Sequence, residues 1–163
     1  MNDETVTHPT TITTLSDTEV RIKRLFDAPR QLVWEAYTDP ELLCEWLGPR
    51  RLTMTVQEMN VRSGGSYRYT HQDSDGAYVF FGEFREVDPP RLLVQTFSFE
   101  GAEGESLDRV EFEEVGADKT RLIVTGTFES IEARDAMLES GMEKGVNEGY
   151  EKLDELLVRR QNR

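Results

Sequence analysis

At 163 residues the chain is sized for one domain around a single core, and 37% hydrophobic content with 9% aromatics is enough to build it. Its 32 acidic and 19 basic residues leave a formal charge of -13. That field repels phosphates and anionic headgroups, which excludes nucleic acid or a membrane surface as the main partner.

Residues 1–18 are Thr-rich and aperiodic, and are expected to form a flexible N-terminal arm or an irregular edge. They have neither the basic start nor the apolar stretch of a secretory signal. A single domain is expected over residues 19–160. Glu19 to Phe26 reads as a first strand with one buried face. Asp27-Ala28-Pro29 starts a helix, since proline is tolerated at the first helical position and an acid suits the N-terminal dipole. Leu32, Val33, Ala36 and Tyr37 follow at helical spacing, with Trp34 at a core or rim position. Asp39-Pro40-Glu41 repeats the start signal for a second short helix holding Leu42, Leu43, Trp46 and Leu47, and Gly48-Pro49 stops it.

From Arg51 to Thr127 the period changes to two. The expected strands are Leu52 to Met59, Ser66 to Gln72, Tyr78 to Val87, Arg91 to Phe99, Leu107 to Val115 and Thr120 to Thr127. Asp75-Gly76 gives a hairpin signal between the second and third, and six strands with short connections imply an antiparallel meander. After Ser130, a fitting N-cap, the chain reads as helical to its end. Leu138, Met142, Val146, Gly149, Leu153, Leu156 and Leu157 form one stripe opposite a charged face. Such a helix packs on something broad, and the sheet is the candidate.

Gly141, Gly145 and Gly149 stand four residues apart in that segment, giving up about 2–3 kcal/mol of helix stability. Two readings remain open. The row lets the helix lie directly on a strand, with Gly141 marking a break between two helices; or the missing volume beside Met142, Val146 and Tyr150 is a cavity for a small molecule.

The stretches Arg24-Leu-Phe-Asp-Ala-Pro-Arg-Gln-Leu-Val-Trp-Glu-Ala-Tyr-Thr-Asp-Pro-Glu, Glu45-Trp-Leu-Gly-Pro and Arg62-Ser-Gly-Gly-Ser-Tyr resemble the activator-of-Hsp90-ATPase homologue family. Gly82-Glu-Phe-Arg-Glu-Val-Asp-Pro-Pro-Arg and Ser140-Gly-Met-Glu-Lys-Gly-Val-Asn-Glu-Gly-Tyr extend the likeness over residues 19–158. That family lies in the START-like (Bet v 1-like, SRPBCC) superfamily. The resemblance implies an α+β helix-grip fold: a curved antiparallel sheet of about seven strands, two short helices, and a long C-terminal helix with a deep cavity beneath it. It also implies a range of functions: lipid and polyketide binders, cyclases and aromatases, and a co-chaperone. About 18 residues precede the match, where eukaryotic Hsp90 activators carry a further domain that contributes to stimulation. Relatives often have a tandem tryptophan where Trp46-Leu47 stands here.

The chemistry-bearing residues are few. With Cys44 alone no internal disulfide can form, which suits a reducing cytoplasm. With only His8 and His71 beside it, the roughly four Cys/His ligands of a structural zinc site are not present. His71 is the one candidate general base. Period two puts it on one strand face with Tyr67 and Tyr69, so it either lines the cavity or lies exposed near the hairpin end at Asp73-Asp75. Cys44 with His71 has no flanking signature of a nucleophile pair. Glu83 belongs on a solvated outer face or in the interior, and Arg109 with Glu111 suits an ion pair better than a substrate clamp. No phosphate loop, dinucleotide fingerprint or nucleophile elbow is present.

The expected function is therefore a cytoplasmic binding protein for a hydrophobic or aromatic small molecule, lipid- or polyketide-like, with no cofactor and no metal. The ligand-binding candidates are Trp34, Trp46, Tyr67, Tyr69, His71, Phe84, Phe97, Met142, Val146 and Tyr150. The alternatives are a polyketide cyclase/aromatase-like enzyme, with His71 moving a proton, and a co-chaperone using the acidic surface on an Hsp90-like partner. A monomer or a homodimer could serve any of them.

Overall fold

The structure is a computed structural model describing residues 8–162. In chain order it runs β1 (Thr11–Thr14), β2 (Glu19–Phe26), α1 (Arg30–Thr38), α2 (Pro40–Leu43), β3 (Thr53–Met59), β4 (Ser66–Asp73), β5 (Gly76–Asp88), β6 (Leu92–Phe99), β7 (Ser106–Glu114), β8 (Thr120–Thr127), α3 (Ile131–Glu139) and α4 (Met142–Gln161). The strands form one eight-stranded antiparallel sheet in the order β1-β2-β8-β7-β6-β5-β4-β3. Six consecutive strands make the expected meander, and β2 joins it beside β8 with Glu19 opposite Thr127 and Phe26 opposite Thr120. This is a helix-grip fold.

The strand count is eight rather than about seven. The added strand is β1, which pairs with β2 from Thr11 opposite Lys23 to Thr14 opposite Val20. Thr11–Thr14 thus takes the irregular-edge alternative of the N-terminal reading, because the free edge of β2 offers backbone partners whatever the side chains. Residues 1–7 of the expected arm lie outside the described residues. The hairpin turn also moves by one residue: Asp73 pairs with Gly76, leaving Ser74-Asp75 as the loop. The Asp73 carboxylate holds that turn, accepting from the Asp75 N–H at 2.9 Å and the Gly76 N–H at 3.2 Å.

Two β-bulges, between Val56 and Glu58 in β3 and between Phe84 and Glu86 in β5, bend the sheet so that it curls around a helix. Asp39 caps α2, its carboxylate accepting from the Glu41 N–H, and Pro40 takes the first helical position. Ser130 caps α3 through the Ala133 N–H at 3.1 Å. Gly141, at φ 85°, then separates α3 from α4, a backbone angle at which a side chain is strained. The break was one of the two readings of the glycine row.

Packing is dense at one end of the interior. Phe26, Ala28, Val33, Trp34, Phe112 and Leu122 meet Leu153, Leu156 and Leu157 of α4, all buried. Arg24, on the inward face of β2, forms a bidentate pair with Asp154 of α4 at 2.7 and 2.6 Å, and both are buried. Two parallel charge-assisted bonds fix the rotation of α4 over the sheet. Gly149 explains the rest of that placement: a Cβ there would sit 3.1 Å from the Trp46 carbonyl oxygen and 3.4 Å from the Gly48 nitrogen. The glycine row therefore packs α4 on the Trp46–Gly48 loop, not on a strand as one of the two readings supposed. Gly145 has only the Pro49 Cδ at 3.9 Å.

Candidate functional site

The inward faces of β4, β5 and β6 carry a continuous aromatic wall. Tyr67, Tyr69 and His71 follow period two along β4 and face Gly82, Phe80 and Tyr78 of β5. Tyr67 stacks on Tyr69 with centroids 5.9 Å apart, and Tyr69 meets the His71 ring edge-on at 5.3 Å. Phe84 lies 5.4 Å from Tyr67, and Phe80 bridges Tyr69 at 5.6 Å to Phe97 at 5.2 Å. The wall runs out to Phe99, whose ring is tilted against Phe80 at 5.2 Å and is exposed at the rim. Gly82 permits it: a Cβ there would strike the Tyr67 ring at 2.8 Å and the Thr96 carbonyl oxygen.

Five candidates from the sequence thus meet in one place: Tyr67, Tyr69, His71, Phe84 and Phe97. Tyr150 of α4 packs instead at the dense end, 5.3 Å from Phe26 and 6.4 Å from Trp46. Met142 and Val146 are half-buried on the N-terminal half of α4. Trp34 and Trp46 stand apart in the densely packed end. Trp34 is set against Phe112 at 5.2 Å, and the Trp46 indole N–H donates to the Ala36 carbonyl at 2.9 Å, as a buried indole needs.

His71 is buried, so of its two readings the exposed one falls. Its imidazole lies against the backbone of Gly48, whose φ of 93° and lack of Cβ make room for it. Burial, with a smaller contribution from Lys152, pushes its pKa down to about 4, so the ring is neutral near pH 7, and its Nδ1 has no hydrogen-bond partner among the described residues. Cys44 is half-buried and burial raises its thiol pKa, which keeps it protonated rather than nucleophilic. Glu83 is exposed beside Arg85, and Arg109 with Glu111 forms an ion pair at 2.8 Å on the outer face. Arg109 and Glu111 border a surface groove of about 360 Å³ beside Arg30, Arg91 and Phe112.

The residue that sequence reasoning passed over is Asp108. It shares the inward face of β7 with Val110 and Phe112, opposite Gln95 of β6 and Gly126 of β8. The signal was present: alternation through Ser106–Glu114 puts Asp108 on the side of Val110 and Phe112, opposite Arg109 and Glu111. Partial burial raises its pKa to about 7, because a carboxylate drawn away from water favours its neutral form. Its charge reaches the hydroxyls of Tyr37, Tyr67, Tyr69 and Tyr150, raising the pKa of each beyond what burial alone does.

Around Asp108 the packing is looser. Ile22, Phe80, Gln95, Phe97, Asp108 and Val124 all lie on inward faces yet are only half-buried, in contrast to the sealed end around Phe26 and Leu153. Among the described residues no group of three or more His, Cys, Asp or Glu is arranged to hold a metal ion.

The family model described as activator of Hsp90 ATPase homolog 1-like protein matches residues 27–158. The chain belongs to this family. No protein of curated function matches it. Among solved structures, a Rhodobacter sphaeroides protein is 28% identical with a TM-score of 0.84, covering 91% of this chain and 98% of its own. Protein Ms6760 from Mycobacterium smegmatis is 28% identical with a TM-score of 0.83, covering 91% and 97%. DynU16, a protein of the dynemicin biosynthetic locus, is 27% identical with a TM-score of 0.66, covering 85% of this chain and 48% of DynU16. This activator-homologue member also has no helix long and apolar enough to cross a membrane among its described residues.

Proposed function

We propose that the protein is a cytoplasmic carrier of a hydrophobic or aromatic small molecule, taken up between α4 and the sheet. The observation that carries this is the aromatic wall of Tyr67, Tyr69, His71, Phe80, Phe84 and Phe97, which reaches from the interior to the exposed rim at Phe99. An apolar surface with a few inward polar groups is the usual make-up of a small-molecule site. Burying guest surface against it contributes about 25 cal/mol per Å². The likeness to DynU16, from a biosynthetic locus, supports an aromatic or polyketide-like guest.

A panel of flavonoids, polyketides and fatty acids added to the isotope-labelled protein tests it. Amide shifts are expected around Tyr67–His71, Phe97 and Met142–Tyr150. No shift in these segments with any compound refutes it. A proton-transfer reaction on the same guest is favoured by one observation, the neutral imidazole of His71, whose Nδ1 has no partner among the described residues. In that case His71→Ala abolishes turnover and leaves guest affinity nearly intact.

A further inference from the structure

Asp108 is an interior acid without a counter-charge. It has no ion-pair partner and accepts no hydrogen bond from a described residue; burial is the sole cause of its shifted titration. Arg24, the buried arginine of this interior, is held by both oxygens of Asp154. Across β8, Gly126 brings no side chain, and the space where its Cβ would sit is 3.3 Å from an Asp108 carboxylate oxygen. Across β6 stands Gln95, a neutral amide. The remaining groups within reach of its charge are the phenols of Tyr37 on α1, Tyr67 and Tyr69 on β4, and Tyr150 on α4.

We propose that the guest taken up here is an organic cation, an amine-bearing aromatic or hydrophobic molecule whose ammonium group binds the Asp108 carboxylate beside the aromatic wall. This deepens the carrier reading and rests on it. Three independent features point the same way. The carboxylate lacks the cation that a buried charge normally keeps. Gln95, opposite it on β6, shares the inward face with Phe97, which stacks on Phe80, and aromatic faces attract ammonium groups through their quadrupoles. The chain's formal charge of -13 concentrates cations around it and repels carboxylate ligands such as fatty acids. An ammonium guest also restores the charged form of Asp108, so its binding is strongest where the carboxylate is ionised and the amine is still protonated, near pH 8. In that range the four tyrosines are neutral and Arg24 and Asp154 remain paired.

The test uses three probes on one ring system, 2-naphthylmethylamine, 2-naphthylmethanol and 2-naphthoate, titrated calorimetrically at pH 8 into the full chain. The amine is expected to bind at least tenfold more tightly than the alcohol, and naphthoate more weakly than both. Asp108→Asn should erase the amine's advantage and leave the alcohol's affinity in place, while Glu83→Gln, which removes one exposed charge, should change neither. Equal binding of amine and alcohol, or an amine preference that survives Asp108→Asn, overturns the assignment while leaving the carrier reading standing. If none of the three binds, this assignment falls, and the panel of flavonoids, polyketides and fatty acids decides the carrier reading separately.

Discussion

Replacing Asp108 with asparagine keeps the side-chain shape and removes the ionisable proton. The folded carboxyl titrates at about 7, against 3.8 when unshifted. The native state therefore holds a proton that the unfolded chain releases, and stability falls as pH rises from about 4 to 7. At about 1.4 kcal/mol per pKa unit, the wild-type loss is about 2 kcal/mol at pH 5 and about 4 kcal/mol at pH 8. Asp108→Asn suffers none of it. Its advantage over wild type should grow by about 2 kcal/mol between those pH values, which in a domain of this size is about 4–8 °C in melting temperature. Scanning calorimetry of both proteins at pH 5 and pH 8 measures the difference directly. A gap that does not widen with pH means that Asp108 is solvated in the folded state, and removes the chamber's central acid.

Acid should act through His71 in the opposite sense. Its ring titrates at about 4 when folded and 6.5 when unshifted, so stability is lost as pH falls from about 6.5 to 4. Asp108→Asn, lacking the compensating carboxyl, should show that loss as a melting temperature falling steadily over this range, and Asp108→Asn/His71→Gln should not. Gly145→Ala meets only Pro49 at 3.9 Å and should stabilise α4 by about 1 kcal/mol in denaturant titration, whereas Gly149→Val drives side-chain atoms into the Trp46–Gly48 backbone and should destabilise. Arg24→Met strands a buried carboxylate and should lose about 3–5 kcal/mol, much of which Arg24→Met/Asp154→Leu regains; equal stability of the two variants contradicts the buried pairing. Mixed with a bacterial Hsp90, the protein should leave the basal ATPase rate unchanged, and a twofold or greater rise would move its function to the chaperone class.

The sheet was legible because its signals are local. Ser66 to Gln72 alternates strictly, and the observed strands differ by a residue or two at most. The helix starts at Asp39-Pro40 and Ser130 were equally plain, since capping depends on neighbours in sequence. What escaped depends on distance. β1 forms through pairing with β2 rather than through its own pattern, and the contact partner of Gly149 is a loop a hundred residues earlier. His71 looked ambiguous because a hairpin end is ordinarily wet; the Gly48 backbone and α4 cover it. Asp108 was hidden by abundance: among 32 acidic residues, one inward acid stands out only when its strand is set between its neighbours.

The seam between β2 and β8 joins the beginning of the chain to its far end, and the Arg24–Asp154 clasp tightens the same join. During synthesis β2 must therefore wait while roughly one hundred residues are added, about 5–20 s at ribosomal speed, with Phe26 and its own backbone edge uncovered. The meander can assemble in the interval, but the grip cannot close until α4 has left the exit tunnel. Nascent chains stalled just short of Asp154 should accordingly be protease-sensitive along β2, and the emergence of α4 decides when the grip closes.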